Sequence, residues 1–318
     1  MCTAISYLAD SHYFGRNLDL EYSYGESVTI TPRNYPFSFA DGMRLPSHYA
    51  IIGMAHICGD YPLYYDGMNE KGLARAALAF PRDAVYREKN EDRINISPYE
   101  LLPYILCQCD DTDQAERLLQ KINLWNRPFS PTLPLTALHF IISDKKRSLT
   151  LESTVQGLSV SENPVGVLTN SPSFDFQMQY LHLFMGLSEK PLVNRLSDRI
   201  DLKPFSRGMG ALGLPGDLSS TSRFVRAVFT KYHSAIGKTK KENLSQFFHL
   251  LTSVEQQKGC VELDGKYEYT VYSSCCETAR GIYHYTTYDD RRIVSATLND
   301  HDLNGDRLIV TSVLPKTE

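Results

Sequence analysis

Met1-Cys2-Thr3-Ala4-Ile5-Ser6-Tyr7-Leu8-Ala9-Asp10-Ser11-His12-Tyr13-Phe14-Gly15-Arg16-Asn17-Leu18-Asp19 opens the chain. Thr3–Leu8 and His12–Leu18 are strand-like runs around an Asp10-Ser11 turn, the pattern of a β-hairpin. With those two residues as the loop, Cys2 faces Asp19 and Ile5 faces Arg16. Cross-strand partners sit about 5 Å apart, so the hairpin carries a carboxylate to Cys2. Arg16 and Asp19 are three apart, however, and side chains alternate with period two. An ideal hairpin cannot aim both at Cys2, which predicts a bulge or a strand end near Asn17.

Removal of Met1 would leave a thiol and a free α-amine on one residue. A thiol is a strong nucleophile once deprotonated. An α-amine has a reference pKa of roughly 7.7–8.0, so part of it is free base at neutral pH. Nucleophile and base would then share Cys2. Taken alone, a small residue after a start codon is the ordinary reading.

The chain has 318 residues, 42% hydrophobic and 22% charged, with a formal net charge of −4. That length suffices for one large core or two domains. No Lys/Arg-rich block provides a footprint for nucleic acid. The longest apolar runs, such as Leu135–Ile142, fall far short of the ~20 residues of a membrane span. No basic region followed by an apolar stretch marks a signal peptide, so the expected location is cytoplasmic. The seven cysteines form an odd set, which argues against a disulfide framework. Cys107-Gln108-Cys109 and Cys275-Cys276 lack the spacing of a zinc site, and no metal or cofactor is expected.

Further strands are expected at Ser27–Ile30, Tyr49–Gly53, Leu73–Phe80, Leu138–Ser143, Ser148–Ser153, Gly157–Ser161, Val165–Leu168, Tyr267–Ser273, Gly281–Tyr285 and Arg292–Thr297. Helices are expected at Ser97–Cys107, with a capping box in Ser97-Pro98-Tyr99-Glu100. Others are expected at Asp111–Ile122, Asp175–Met185, Ser219–Tyr232 and Lys241–Val254. Asp66-Gly67 and Asn69-Glu70-Lys71-Gly72 have turn chemistry. No repeat or linker divides the chain. Two antiparallel sheets packed between helical layers, in one domain over residues 1–318, is the economical α+β solution.

Four motifs in order then resemble one family. They are the opening Met1-Cys2-Thr3 with Phe14-Gly15-Arg16-Asn17-Leu18-Asp19, then Asp66-Gly67-Met68-Asn69-Glu70-Lys71-Gly72-Leu73. The third is Gly166-Val167-Leu168-Thr169-Asn170-Ser171-Pro172, and the fourth is Gly213-Leu214-Pro215-Gly216-Asp217 leading to Ser222-Arg223-Phe224. Together they resemble the choloylglycine hydrolase family, which comprises bile salt hydrolases and penicillin V acylases. The resemblance implies the four-layer αββα sandwich of N-terminal-nucleophile hydrolases. It also implies Cys2 as nucleophile, Asp19 orienting its amine, and Arg16 and Arg223 supplying positive charge. Asn170 would donate to an oxyanion, a contact worth roughly 2.7–4 kcal/mol of barrier. Asp66 and Asn69 are read as turn residues supporting the site.

At position 79 bile salt hydrolases often carry Asn and penicillin V acylases Tyr. Ala79 has no side-chain donor, so the resemblance leaves its backbone N–H for the oxyanion hole and the subfamily open. The implied substrate is a glycine- or taurine-conjugated bile salt in an apolar cleft. Candidate wall residues are Leu18, Cys58, Phe80, Leu135 and Leu138, with Arg207 facing the anionic end. The resemblance also suggests a homotetramer. Alternatives are a penicillin V acylase, an N-acyl-homoserine-lactone or other lipid-amide acylase, and a non-catalytic binding protein.

Overall fold

The computed structural model describes residues 1–313. Its frame is two large antiparallel sheets. Across the first run Val167–Leu168, β1 (Cys2–Leu8), β2 (His12–Leu20), Lys266–Glu277, Ile282–Thr287 and Val294–Thr297. Across the second run Gly157–Glu162, Ser148–Thr154, Leu138–Ser143, Ala74–Ala79, Tyr61–Asn69, Ile51–Cys58, Ser27–Thr31 and Ile309–Ser312. Helices α1 (Leu101–Leu106) and α2 (Thr112–Leu119) pack on the second sheet. Helix α3 (Phe174–Leu181) leans on α4 (Ser220–His233), which with α5 (Lys240–Thr252) covers the first sheet. β1 and β2 pack on the Ala74–Ala79 strand across the interior. The layers are therefore helix, sheet, sheet, helix: the αββα sandwich.

This layering explains why β1 does not alternate in burial. Successive residues Ala4 and Ile5 are both fully buried, because one face meets the second sheet and the other meets helices. Asp111 caps α2 by accepting from Gln114 N at 3.0 Å, and Thr239 caps α5 by accepting from Glu242 N at 3.2 Å. Among the described residues no helix is long and apolar enough to cross a membrane.

Several local expectations are corrected. The opening hairpin pairs Cys2 with Leu18 and Leu8 with His12, so its loop is Ala9-Asp10-Ser11. Tertiary bonds hold that longer loop: the Asp10 carboxylate accepts from Tyr13 Oη at 3.0 Å and from Asn243 Nδ2 in α5 at 2.7 Å. Asp66-Gly67 is not a turn but lies inside Tyr61–Asn69. The helix expected from Ser97 begins only at Leu101. Ser97 spends its hydroxyl on Arg127 O at 2.5 Å, while Glu100 returns only half of the capping box, accepting from Ser97 N at 3.0 Å. Short strands at Ile94–Ile96, Ile122–Leu124 and Ile309–Ser312 were not expected, since three or four residues carry little periodicity.

His12 is buried at the start of β2. Its Nε2 meets Ser6 Oγ at 3.0 Å and Ser143 Oγ at 3.2 Å, and its Nδ1 meets Thr278 Oγ1 at 3.1 Å. Burial pulls its pKa from 6.5 down to about 4, helped by Lys231 and opposed by Asp144. Across that window the unfolded chain binds a proton that the folded chain does not. Stability should therefore fall as pH drops through it, by up to about 3 kcal/mol from this residue. His12→Gln should flatten that part of a urea-unfolding pH series; an unchanged slope would exclude His12 as its source.

Candidate active site

Cys2 is the first residue of β1 and is 3% exposed. The register with Leu18 opposite settles how one strand serves it twice. Arg16 and Leu18 share the Cys2 face, toward the second sheet, whereas Asn17 and Asp19 face the helices. Arg16 Nη2 contacts Cys2 Sγ, and Arg16 Nη1 bonds Ala77 O and, at 3.3 Å, Tyr65 O of the second sheet. On the other face Asn17 Nδ2 donates to Leu251 O of α5 at 2.9 Å. The break in regular pairing expected near Asn17 falls between Leu18 and Asp19, but not as a bulge or end of β2, which runs unbroken from His12 to Leu20. The irregularity lies in the partner strand, between Thr270 and Tyr272, opposite Asp19 and Leu18.

The main chain of Cys2 is gripped from two distant segments. Its N–H donates to Asn170 Oδ1 at 2.8 Å, and its carbonyl accepts from Arg223 Nη1 at 2.6 Å. Arg223 Nη1 also donates to Thr3 Oγ1 at 2.6 Å, and Nη2 to Asn170 Oδ1 at 2.7 Å. With two donors on Oδ1, the Asn170 amide turns its Nδ2 to Ala79 O at 2.7 Å. Its loop is held in turn: Asn170 N donates to Ser220 Oγ at 2.8 Å, and Gln177 Nε2 to Asn170 O at 2.6 Å.

Phe80 N donates to Ala137 O at 2.8 Å. Backbone groups alternate between edges along an antiparallel strand, so the Ala79 N–H points to the opposite edge. There the neighbouring strand has stopped pairing at Ala76, and Ala77 O and Ala79 O receive Arg16 and Asn170. The Ala79 N–H thus lies on the edge that faces the Cys2 cluster.

Charge here is buried and paired. Asp19 is fully buried; Oδ1 accepts from Thr270 Oγ1 at 2.6 Å, while Oδ2 is buried without a partner. Burial raises its pKa, opposed by the terminal amine, Arg223, the Thr270 bond and Arg16. The Met1 amine donates to Asp19 O at 2.8 Å and contacts Glu268. Burial also raises Asp66, opposed chiefly by Arg16 and by bonds from Tyr272 at 2.5 Å, Tyr283 at 2.7 Å and Ser274 at 3.2 Å.

The remaining expected residues separate. Leu18 is buried beside Cys2 in the ladder. Leu138, half-buried, pairs with Ala79. Leu135 is half-buried in the connection before it, and Cys58 ends a strand opposite Tyr61. Phe80 is a correction: it is fully buried and stacks on His139 with centroids 4.3 Å apart, so it is core, with no surface to offer a cleft. Arg207 is exposed in an irregular segment and makes no side-chain bond to the Cys2 cluster. Asn69 keeps its turn role, accepting from Lys71 N and Leu73 N at 3.0 and 3.1 Å. The sequence reading missed Thr270, Thr3 and the carbonyls of Ala77 and Tyr65. Nothing local marks a threonine in Tyr269-Thr270-Val271 or a main-chain oxygen as a site group.

The pattern of the linear amide C–N hydrolases, choloylglycine hydrolase family, matches residues 2–311. A bile salt hydrolase/transferase of Lactiplantibacillus plantarum is 52% identical over 310 residues, covering 97% of this chain and 96% of that protein. A bile salt hydrolase/transferase of Clostridium perfringens is 36% identical, with 97% and 95% covered. Among solved structures, a mutant conjugated bile acid hydrolase from Clostridium perfringens superposes with a TM-score of 0.91 at 34% identity, covering 99% of this chain and 97% of that one. Penicillin V acylase from Agrobacterium tumefaciens shares the fold, with a TM-score of 0.77 at 21% identity over 97% of this chain and 90% of that one. A match over nearly every residue, with relatives alike along their whole length, has one consequence: this chain belongs to the choloylglycine hydrolase family of linear amide C–N hydrolases.

Proposed function

We propose that residues 1–318 form one hydrolase domain that cleaves the amide bond of glycine- or taurine-conjugated bile salts through a thioester on Cys2. The observation that carries this is the convergence of Arg16, Asn170 and Arg223 on the sulfur, nitrogen and carbonyl of one strand-end cysteine. The named activities of the full-length relatives support the substrate class.

The reaction begins once Met1 is gone. The Cys2 amine takes the thiol proton, and the sulfur attacks the amide carbonyl. The oxyanion is met by the Ala79 N–H and by Asn170 Nδ2. Collapse breaks the C–N bond, and the leaving amine of glycine or taurine takes the proton from the Cys2 ammonium. Water then attacks the thioester, with the same amine as base, and the free bile acid departs. Asp19 Oδ2, buried and unspent, accepts from the Cys2 ammonium and orients it. Leu135, Leu138 and Cys58 contribute apolar surface for the steroid, and Arg207 meets the anionic end.

The test is intact mass followed by turnover of glycocholate, taurocholate and phenoxymethylpenicillin. The expected result is loss of one methionine and turnover of the conjugates. Faster turnover of the penicillin would reassign the acyl group, an outcome Ala79 leaves chemically open. Full activity with Met1 retained would sink the amine's role. Arg207→Ala should lower the taurine-to-glycine ratio; an unchanged ratio removes that contact.

We also propose a cytoplasmic homotetramer. Leu183, Met185, Val193, Leu196, Phe205 and Leu212 are all exposed, apolar side chains that contacts between subunits would cover. Light scattering should give four times the 36.1 kDa of one chain; a monomer at micromolar concentration would refute it.

A further inference from the structure

At the far end of β1 from Cys2, a pocket of about 510 Å³ opens between β1, β2, the Asp144–Arg147 turn and α4. Ser6 to Leu8 line it, four to six residues along the strand, or roughly 13–20 Å from the nucleophile. Lys231, from the last turn of α4, forms part of its wall. Its Nζ donates to Val165 O at 2.5 Å and lies 5.4 Å from the centre of the Tyr232 ring. An ammonium has three donors, and this one has no carboxylate partner among the described residues. Burial alone lowers Lys231 to about 8, so at neutral pH it remains mostly charged.

The other charges of the pocket are committed elsewhere. Asp144 accepts from Thr112 N and Oγ1 at 2.8 and 2.9 Å and from the main chain of Lys146 and Arg147. Lys146 pairs with Asp111, and Arg147 with Asp113 and Glu116. His12 is held neutral near pH 7 by its burial. Lys145 and Glu162 are exposed on the rim. Lys231, half-buried, is left without an ion-pair partner among the described residues, as is the buried Asp144 carboxylate in the same wall. Tyr7, which also lines the pocket, has a buried hydroxyl without a hydrogen-bond partner.

The backbone is shaped around this ammonium. Gly166 has φ +60, and a Cβ there would come within 2.7 Å of Lys231 Nζ. Glycine at that position therefore meets a left-handed conformation and leaves room for the cation. A partly buried ammonium without a counter-charge carries a desolvation cost, and an anion on Lys231 would offset it.

We propose that this pocket binds a small oxyanion, of phosphate, sulfate or carboxylate chemistry, on Lys231, as a site separate from Cys2. The test uses inorganic sulfate and acetate as two arms at constant ionic strength. Lys231 of the wild-type protein is acylated with an amine reagent at pH 7 and followed by peptide mass. A bound anion favours the charged amine, so labelling of Lys231 should slow about tenfold at saturation in at least one arm. Lys145 should be slowed far less. Which anion protects better tells a sulfate or phosphate site from a carboxylate site. Calorimetry should show saturable binding to the wild type and none to Lys231→Met. Unchanged labelling of Lys231 in both arms, or equal binding to Lys231→Met, would overturn the proposal. The labelling arm needs no variant, so it decides the matter even if Lys231→Met fails to fold.

Discussion

Cys2→Ala is expected to abolish amide hydrolysis, lowering kcat by at least about 10⁴-fold, while the protein stays folded. The substitution removes one sulfur atom from a buried strand end. Arg16, which contacts that sulfur, keeps its bonds to Ala77 O, Tyr65 O and Asn17 O. The Cys2 main chain would keep Asn170 and Arg223, because those bonds do not involve the side chain. The stability cost should therefore be modest, about 1 kcal/mol. Binding of a conjugated bile salt should survive, and this separates a lost nucleophile from a collapsed site. Turnover by Cys2→Ala within tenfold of wild type would eliminate the thioester route.

Arg223→Met should cost about 3–5 kcal/mol of unfolding free energy, the range for removing one partner from a buried charge network. Arg223 is fully buried, and its guanidinium bonds Cys2 O, Thr3 Oγ1, Asn170 Oδ1 and Leu218 O. It also opposes the raised pKa of the fully buried Asp19. Methionine fills much of the volume but leaves those acceptors and that carboxylate uncompensated. The Asn170 amide would lose one of the two donors that orient it, so kcat should fall by about 10²-fold or more. Urea unfolding and single-turnover kinetics read the two effects separately. A loss under about 1 kcal/mol would show that water replaces the guanidinium at little cost.

The two variants probe parts of the site that were unequally visible in the chain. Cys2, Arg16 and Asp19 lie within nineteen residues, and the chemistry of a thiol beside an amine can be read without coordinates. Asn170 and Arg223 are different. A turn-forming Asn and a helical Arg have ordinary explanations, and only the order of the motifs lifted them out. Asp66 was misjudged because Asp-Gly is turn chemistry locally. The second sheet instead extends through it, and Tyr272, Tyr283 and Ser274 satisfy its carboxylate from the opposite sheet. Phe80 was misjudged because an apolar residue has the same appearance whether it lines a cleft or fills a core.

The layer architecture, most of the strands and the helical faces of α4 and α5 could be read from the chain, because hydrophobic periodicity and turn chemistry are local properties; the nine-residue strand Tyr61–Asn69 could not, because Asp66-Gly67 has turn chemistry. The register of the opening hairpin could not. Its loop length depends on Asp10 reaching Tyr13 and, across more than two hundred residues, Asn243. That one-residue difference decides which face each side chain takes. It places Arg16 on the sulfur side of Cys2 and Asp19 on the helix side, with no break in β2. The identity of the nucleophile thus lies in the first nineteen residues, whereas its surroundings come from contacts between segments far apart in sequence, which no local pattern encodes.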